Sequence, residues 1–138
     1  MKKKKQEEIE LIQTWLAFAT ENLLSAKVLL TQDFSPHHTV CFMCQGSSEK
    51  FLKAFLICQG WTLEKTHDLE RLLKYCVNYD DSFQELFPAC KLLNEYITEG
   101  RYPGDLPWEM IRREDADEAI RAAEKIADFI TEKISFID

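Results

Sequence analysis

Between Pro36 and Gly60 the chain reads HHTVCFMCQGSSEKFLKAFLICQ. Wound as a helix, this segment places Val40, Phe42, Met43, Phe51, Leu52 and the run Ala54 to Cys58 around most of its circumference. A helix so broadly apolar must be covered on several sides, by its own bundle or by a second subunit as well. Yet Glu49, Lys50 and Lys53 fall in its middle. Glu49 and Lys53 are spaced i, i+4 and can pair, a contact that contributes only about 0.2–0.5 kcal/mol on an exposed helix. Two readings stand side by side. Either the three charges form a narrow wet strip, or Lys50 or Lys53 supplies positive charge to an enclosed groove. Gly46, Ser47 and Ser48 are small residues in the interior of the same helix. An interior Gly costs about 1 kcal/mol relative to Ala, which suggests that another helix approaches closely here.

The rest of the chain repeats the helical rhythm, and no alternating strand pattern competes with it. Ile12, Trp15 or Leu16, Ala19, Leu23, Ala26 and Leu30 form a stripe along a first helix over 7–30. Ser35 and Pro36 suggest an N-cap and first helical residue for the second helix, and Gly60 its stop. Thr66 should cap a third helix whose inward residues are Leu69, Leu72, Leu73 and Cys76. Ser82 and Glu85 read as a capping box for a fourth, which carries Phe83, Leu86, Phe87, Ala89, Cys90, Leu93, Tyr96 and Ile97 and ends at Gly100, with Pro88 kinking it or shifting its start. A loop rich in Gly, Pro and aromatics follows. The last helix opens near Asp115, with Ala116, Ile120, Ala123, Ala127, Ile130 and Ile134 as its seam. The expected fold is all-α: an antiparallel up-and-down four-helix bundle with an additional short helix. It forms one domain over 1–138, with residues 1–6 outside the ordered fold.

Composition narrows the function classes. A net charge of −7 over 138 residues opposes a general polyanion-binding surface but leaves room for a local basic pocket. MKKKK is not followed by an apolar signal-type run, and no apolar stretch approaches the roughly 18 residues of a membrane span. The expected location is the cytoplasm. Five cysteines without a secretory signal suggest reduced thiols. Cys41 and Cys44 form a CxxC, but no second pair stands at zinc-site spacing, so core packing is the better reading. No Gly-rich phosphate loop, metal-binding carboxylate pair or nucleophile–base motif is present. No catalytic residue, metal or cofactor is therefore assigned, and an enzyme is the less favoured class.

Short connections favour antiparallel neighbours, which would place the 60–66 turn and the 100–113 loop at one end of the bundle. His67, Asp68, Arg101 and Tyr102 would then meet there. His67 could donate to phosphate or act as acid or base, or it could complete a helix cap. Arg101 could grip phosphate or bond helix-end carbonyls. Tyr102 could stack on a base or wedge the loop. Trp61 and Trp108 belong to the same end. The candidate ligand-binding set is Lys50, Lys53, His67, Arg101 and Tyr102.

Gln45, Glu49-Lys50, Lys53-Ala54, Gly60, THDL at 66–69 and RYPGD at 101–105, in this order, resemble the HEPN domain over about Thr14 to Lys133. The resemblance implies a small helical bundle that commonly forms homodimers, is often paired with a minimal nucleotidyltransferase, and binds nucleotides or RNA. Some members are ribonuclease toxins marked by an Arg followed a few residues later by a His. This chain departs from that mark. Its histidines are His37, His38 and His67, and its first arginine is Arg71. Ribonuclease activity is therefore kept only as an alternative, beside a purely structural protein-interaction bundle.

Overall fold

A computed structural model describes residues 2–98 and 111–134. The described chain is all-α: α1 Lys2–Leu30, α2 His37–Cys58, α3 Leu69–Tyr79, a 3-10 turn Asp81–Leu86, α4 Phe87–Thr98 and α5 Arg113–Lys133. No strand occurs among the described residues. Every seam residue named above in α3 and α5 is buried, as are Ile12, Ala19, Leu23, Ala26 and Leu30 of α1. Trp15 and Leu16 are partly buried against this core, whereas Phe87, expected inside, is about half exposed.

α2 is central and packs against all four other helices. The Ser47 hydroxyl donates to the Ala19 carbonyl at 2.8 Å, so the close helix approach falls at Ser47. It was expected at Gly46, where an added Cβ would meet nothing nearer than 3.5 Å. The contacts fix the helix directions. Lys27 of α1 pairs with Glu124 of α5. Phe83, just before α4, lies 4.4 Å from Phe55 near the end of α2. At the far end of α4, Tyr96 hydrogen bonds to Cys41, in the first half of α2. α1, α2, α4 and α5 thus alternate in direction, consistent with an up-and-down bundle.

α3 departs from the expected path. It was expected to begin where α2 ends; instead residues 61–68 run back along α2 in extended form. Trp61 is tied to the end of α2 by its N–H to the Leu56 carbonyl, while the His67 carbonyl accepts from the Gln45 side chain at 2.9 Å. α3 then descends, so Tyr75 meets Trp61 again with ring centroids 5.9 Å apart. α3 therefore runs in the same sense as α2. Gly60, at φ +85°, makes the reversal that lets the segment double back.

The caps shift by a residue or two from those expected. Asp68, not Thr66, caps α3 by accepting from the N–H groups of Glu70 and Arg71. Thr66 instead accepts from Asp68 N–H. Pro36 precedes α2 without a side-chain cap, and Ser35 Oγ is buried with no partner. Asp80, rather than Ser82, starts the 3-10 turn by accepting from the N–H and hydroxyl of Ser82. Pro88 sits second in α4, where its missing N–H costs no helical bond. The Arg112 N–H donates to Asp115 before α5.

Asp80 also pairs with Lys133 at 2.7 Å, tying the end of α3 to the end of α5. The Lys133 ammonium, then the Ser82 donors, hold its carboxyl down to about 2 from the ordinary 3.8. A pKa depressed by folding stabilises the native state above the unfolded value and is lost as pH falls through the folded one. The wild type should therefore lose stability between about pH 4 and pH 2 more steeply than Asp80→Asn. Urea midpoints measured across that interval check the difference, and parallel acid limbs would refute it.

Candidate functional site

Two of the three charges in the middle of α2 are buried, so they do not form a wet strip. Glu49 and Lys53 are only 8% and 4% exposed. Lys53 Nζ donates to Glu49 Oε2 at 2.8 Å and lies 5.7 Å from the centroid of the Trp15 ring, a cation–π distance. The other carboxylate oxygen, Glu49 Oε1, is 2.8 Å from His67 Nδ1. A carboxylate only accepts, so in this contact His67 Nδ1 is the donor.

α2 grips His67 twice. Gln45, 2% exposed, holds its backbone carbonyl, and Glu49 holds its ring. The imidazole is nevertheless half exposed, and Nε2 has no partner among the described residues. Gln45, Glu49 and Lys53 stand at i, i+4 and i+8, so successive turns of one helix present all three on one face.

Lys50 points toward α1. Its Nζ donates to Asn22 Oδ1 at 2.8 Å and lies 3.5 Å from the Gly46 carbonyl. Burial lowers its pKa and the like charge of Lys53 adds to this, against the opposing pull of Glu49. The candidate set thus divides. Lys53 and His67 both contact Glu49, Lys50 turns toward Asn22 of α1, and Arg101 and Tyr102 lie outside the described residues.

The expected shared end takes a different form. Trp61 belongs to the C-terminal end of α2, whereas Tyr96 and Ile111, which flank the 99–110 stretch, lie toward its N-terminal half. The returning segment carries His67 back up the helix to the level of Gln45.

Asn94, on α4, was not singled out from sequence. Its side-chain oxygen accepts from Leu69 N–H, and its amide donates to Asp68 and Glu70, fixing the start of α3 next to His67. Asp68 lines an open groove of about 1220 Å³, together with Glu70, Arg71, Lys74, Tyr75 and Phe87. Arg71 there donates to Glu64 at 2.7 Å and to Tyr75 at 3.1 Å, and these contacts raise its pKa. A second cavity, of about 620 Å³, lies between the N-terminal ends of α2 and α5 and is lined by Phe34, His37, His38, Arg112 and Arg113.

Cys41 and Cys44 are fully buried, and desolvation pushes their thiols up to about 11 and about 12. That disfavours the thiolate a metal or redox site needs. No helix among the described residues is long and apolar enough to cross a membrane.

Comparison with known proteins agrees with this architecture. The family model described as the HEPN domain matches residues 12–134. A Methanocaldococcus jannaschii protein named "Putative toxin MJ1304" is 32% identical over 141 residues, covering 91% of each chain. The crystal structure of TT1696 from Thermus thermophilus shares 27% identity at a TM-score of 0.76, covering 89% of this chain and 98% of that one. ST0689, described as an archaeal HEPN homologue, shares the fold at a TM-score of 0.72 and 24% identity, covering 89% of this chain and 97% of its own.

Proposed function

This chain belongs to the HEPN family, and from that premise we propose that it is a nucleotide-binding module, acting as a homodimer and beside a minimal nucleotidyltransferase partner. Its ligand contacts are His67, Lys50, Arg101 and Tyr102, with Lys53 acting through Glu49. The observation that carries this reading is the clamp on His67. A half-exposed imidazole is held at its ring and at its backbone by two buried side chains of α2. Buried ion pairs are often no more stabilising than well-packed apolar residues of the same volume, so stability alone is a weak reason for Glu49 and Lys53. A site that must present one ring nitrogen in a fixed direction is a better one.

Support for a self-associating surface comes from α1, whose Phe18, Leu24 and Val28 are each more than half exposed although large and apolar.

Calorimetric titration with ATP and AMP tests the function. Saturable heat at or below millimolar ligand is expected, with His67→Ala weakening binding about tenfold, the loss of one net hydrogen bond to a ligand. A flat wild-type titration overturns the reading.

A toxin role in a two-gene pair is the second reading, favoured by the name carried by the 32% identical relative. No Arg precedes a His at the spacing of the ribonuclease members. Labelled RNA incubated with wild type and His67→Ala decides this case: cleavage present in the first and lost in the second would establish it.

A further inference from the structure

The grip on His67 says which kind of ligand group it can meet. Neutral imidazole has one donor and one acceptor nitrogen, and the partner of one nitrogen sets the role of the other. Here Glu49 Oε1 lies 2.8 Å from Nδ1, and Lys53 Nζ lies 2.8 Å from the second carboxylate oxygen. In the neutral ring the contact with the Glu49 carboxylate puts the proton on Nδ1, and Nε2 then presents a lone pair. A neutral ring so held cannot donate to phosphate. It can accept from an O–H or N–H of a ligand.

We infer that Glu49, backed by Lys53, is the positioning residue of the His67 site. It makes His67 Nε2 an acceptor for a ligand hydroxyl or amino group, which in a nucleotide is the ribose or the base and not the phosphate. The inference rests on the nucleotide-binding reading and deepens it. The phosphate falls to cations instead, and the groove that opens at the next residue, Asp68, offers Arg71 and Lys74. Asp68 is itself fixed as the cap of α3 and by the Asn94 amide, so the step from imidazole to groove is rigid. The ligand class is a ribonucleoside phosphate, with its sugar hydroxyls against His67 and its phosphate over α3.

Two measurements test this. Long-range ¹⁵N–¹H spectra of uniformly labelled wild-type protein, taken well above the ordinary imidazole titration range, report which ring nitrogen is protonated. The Nδ1–H pattern is expected for His67, and an Nε2–H pattern overturns the inference without recourse to any variant. AMP, 2′,3′-dideoxy-AMP and inorganic phosphate are then titrated in turn. AMP should move the His67 Nε2 resonance. The dideoxy analogue should bind about tenfold more weakly, as should AMP to His67→Ala. Lys74→Ala should leave the imidazole spectrum unchanged and weaken AMP and inorganic phosphate alike. If inorganic phosphate moves Nε2 as far as AMP does, or if the dideoxy form binds wild type and AMP binds His67→Ala undiminished, the inference fails while nucleotide binding stands. If AMP gives no heat, the nucleotide reading itself fails and the inference with it.

Discussion

Glu49→Leu should cost about 3–5 kcal/mol of unfolding free energy, the penalty for leaving the Lys53 ammonium buried without its counter-charge. The lysine side chain is only 5% exposed, and its remaining contact is the face of Trp15, worth about 0.5–2 kcal/mol to a cation and no substitute for a carboxylate. The double variant Glu49→Leu/Lys53→Met removes both charges together. It should fall within about 1–2 kcal/mol of wild type, or above it, because apolar packing replaces a pair that is costly to desolvate. Urea unfolding followed by far-ultraviolet circular dichroism separates the cases. A single-variant loss below about 1 kcal/mol would mean that Lys53 swings into water and that the pair is not enforced by the bundle. The double variant also separates stability from function, since it should remain folded yet lose the Glu49 contact to the His67 ring.

A comparable loss, about 3–5 kcal/mol, is expected for Phe83→Ala. Phe83 is fully buried in the 3-10 turn between α3 and α4. Its ring lies 4.4 Å from that of Phe55 and meets Phe129 edge-on at 4.9 Å, so three elements share one aromatic contact. Truncation opens a cavity that neither partner can fill without moving its helix. Thermal unfolding should shift down by roughly 10–20 °C for a chain of this length. Phe87, four residues on and about half exposed, provides the control: Phe87→Ala should shift the transition by a few degrees at most.

The seams of α1, α3 and α5 were legible because a stripe at three- and four-residue spacing has one way to hide from water. The burial of α2 followed from its composition in the same way. Sequence was silent on the route between α2 and α3. Periodicity speaks for helices, and WTLEKTHD has none, so its return along α2 depends on the Gly60 reversal and on the Gln45–His67 bond, both tertiary facts. The same gap misplaced the α3 cap, since Thr66 and Asp68 are both good capping residues and only the bonds from Glu70 and Arg71 N–H to the Asp68 carboxylate show which one caps the helix. Lys50, Lys53 and His67 could be named from sequence as chemically capable groups. Their division of labour could not, because Glu49 was visible only as a pairing partner for Lys53 and its second oxygen had no reader. Gln45, one helical turn ahead of Glu49, was visible only as part of the family pattern, and its hold on the His67 carbonyl is a tertiary contact.

Gln45, Glu49 and Lys53 lie on a single rod with a rise of about 6 Å per four residues. The gauge that sets the imidazole is thus the pitch of an α-helix, the most reproducible length in protein architecture. Mutational drift can rotate α5, slide α4 or repack the outer flank of α1 without disturbing the spacing of those three rungs. The price of that autonomy is that a single inserted residue between 45 and 53 would turn one rung about 100° out of line.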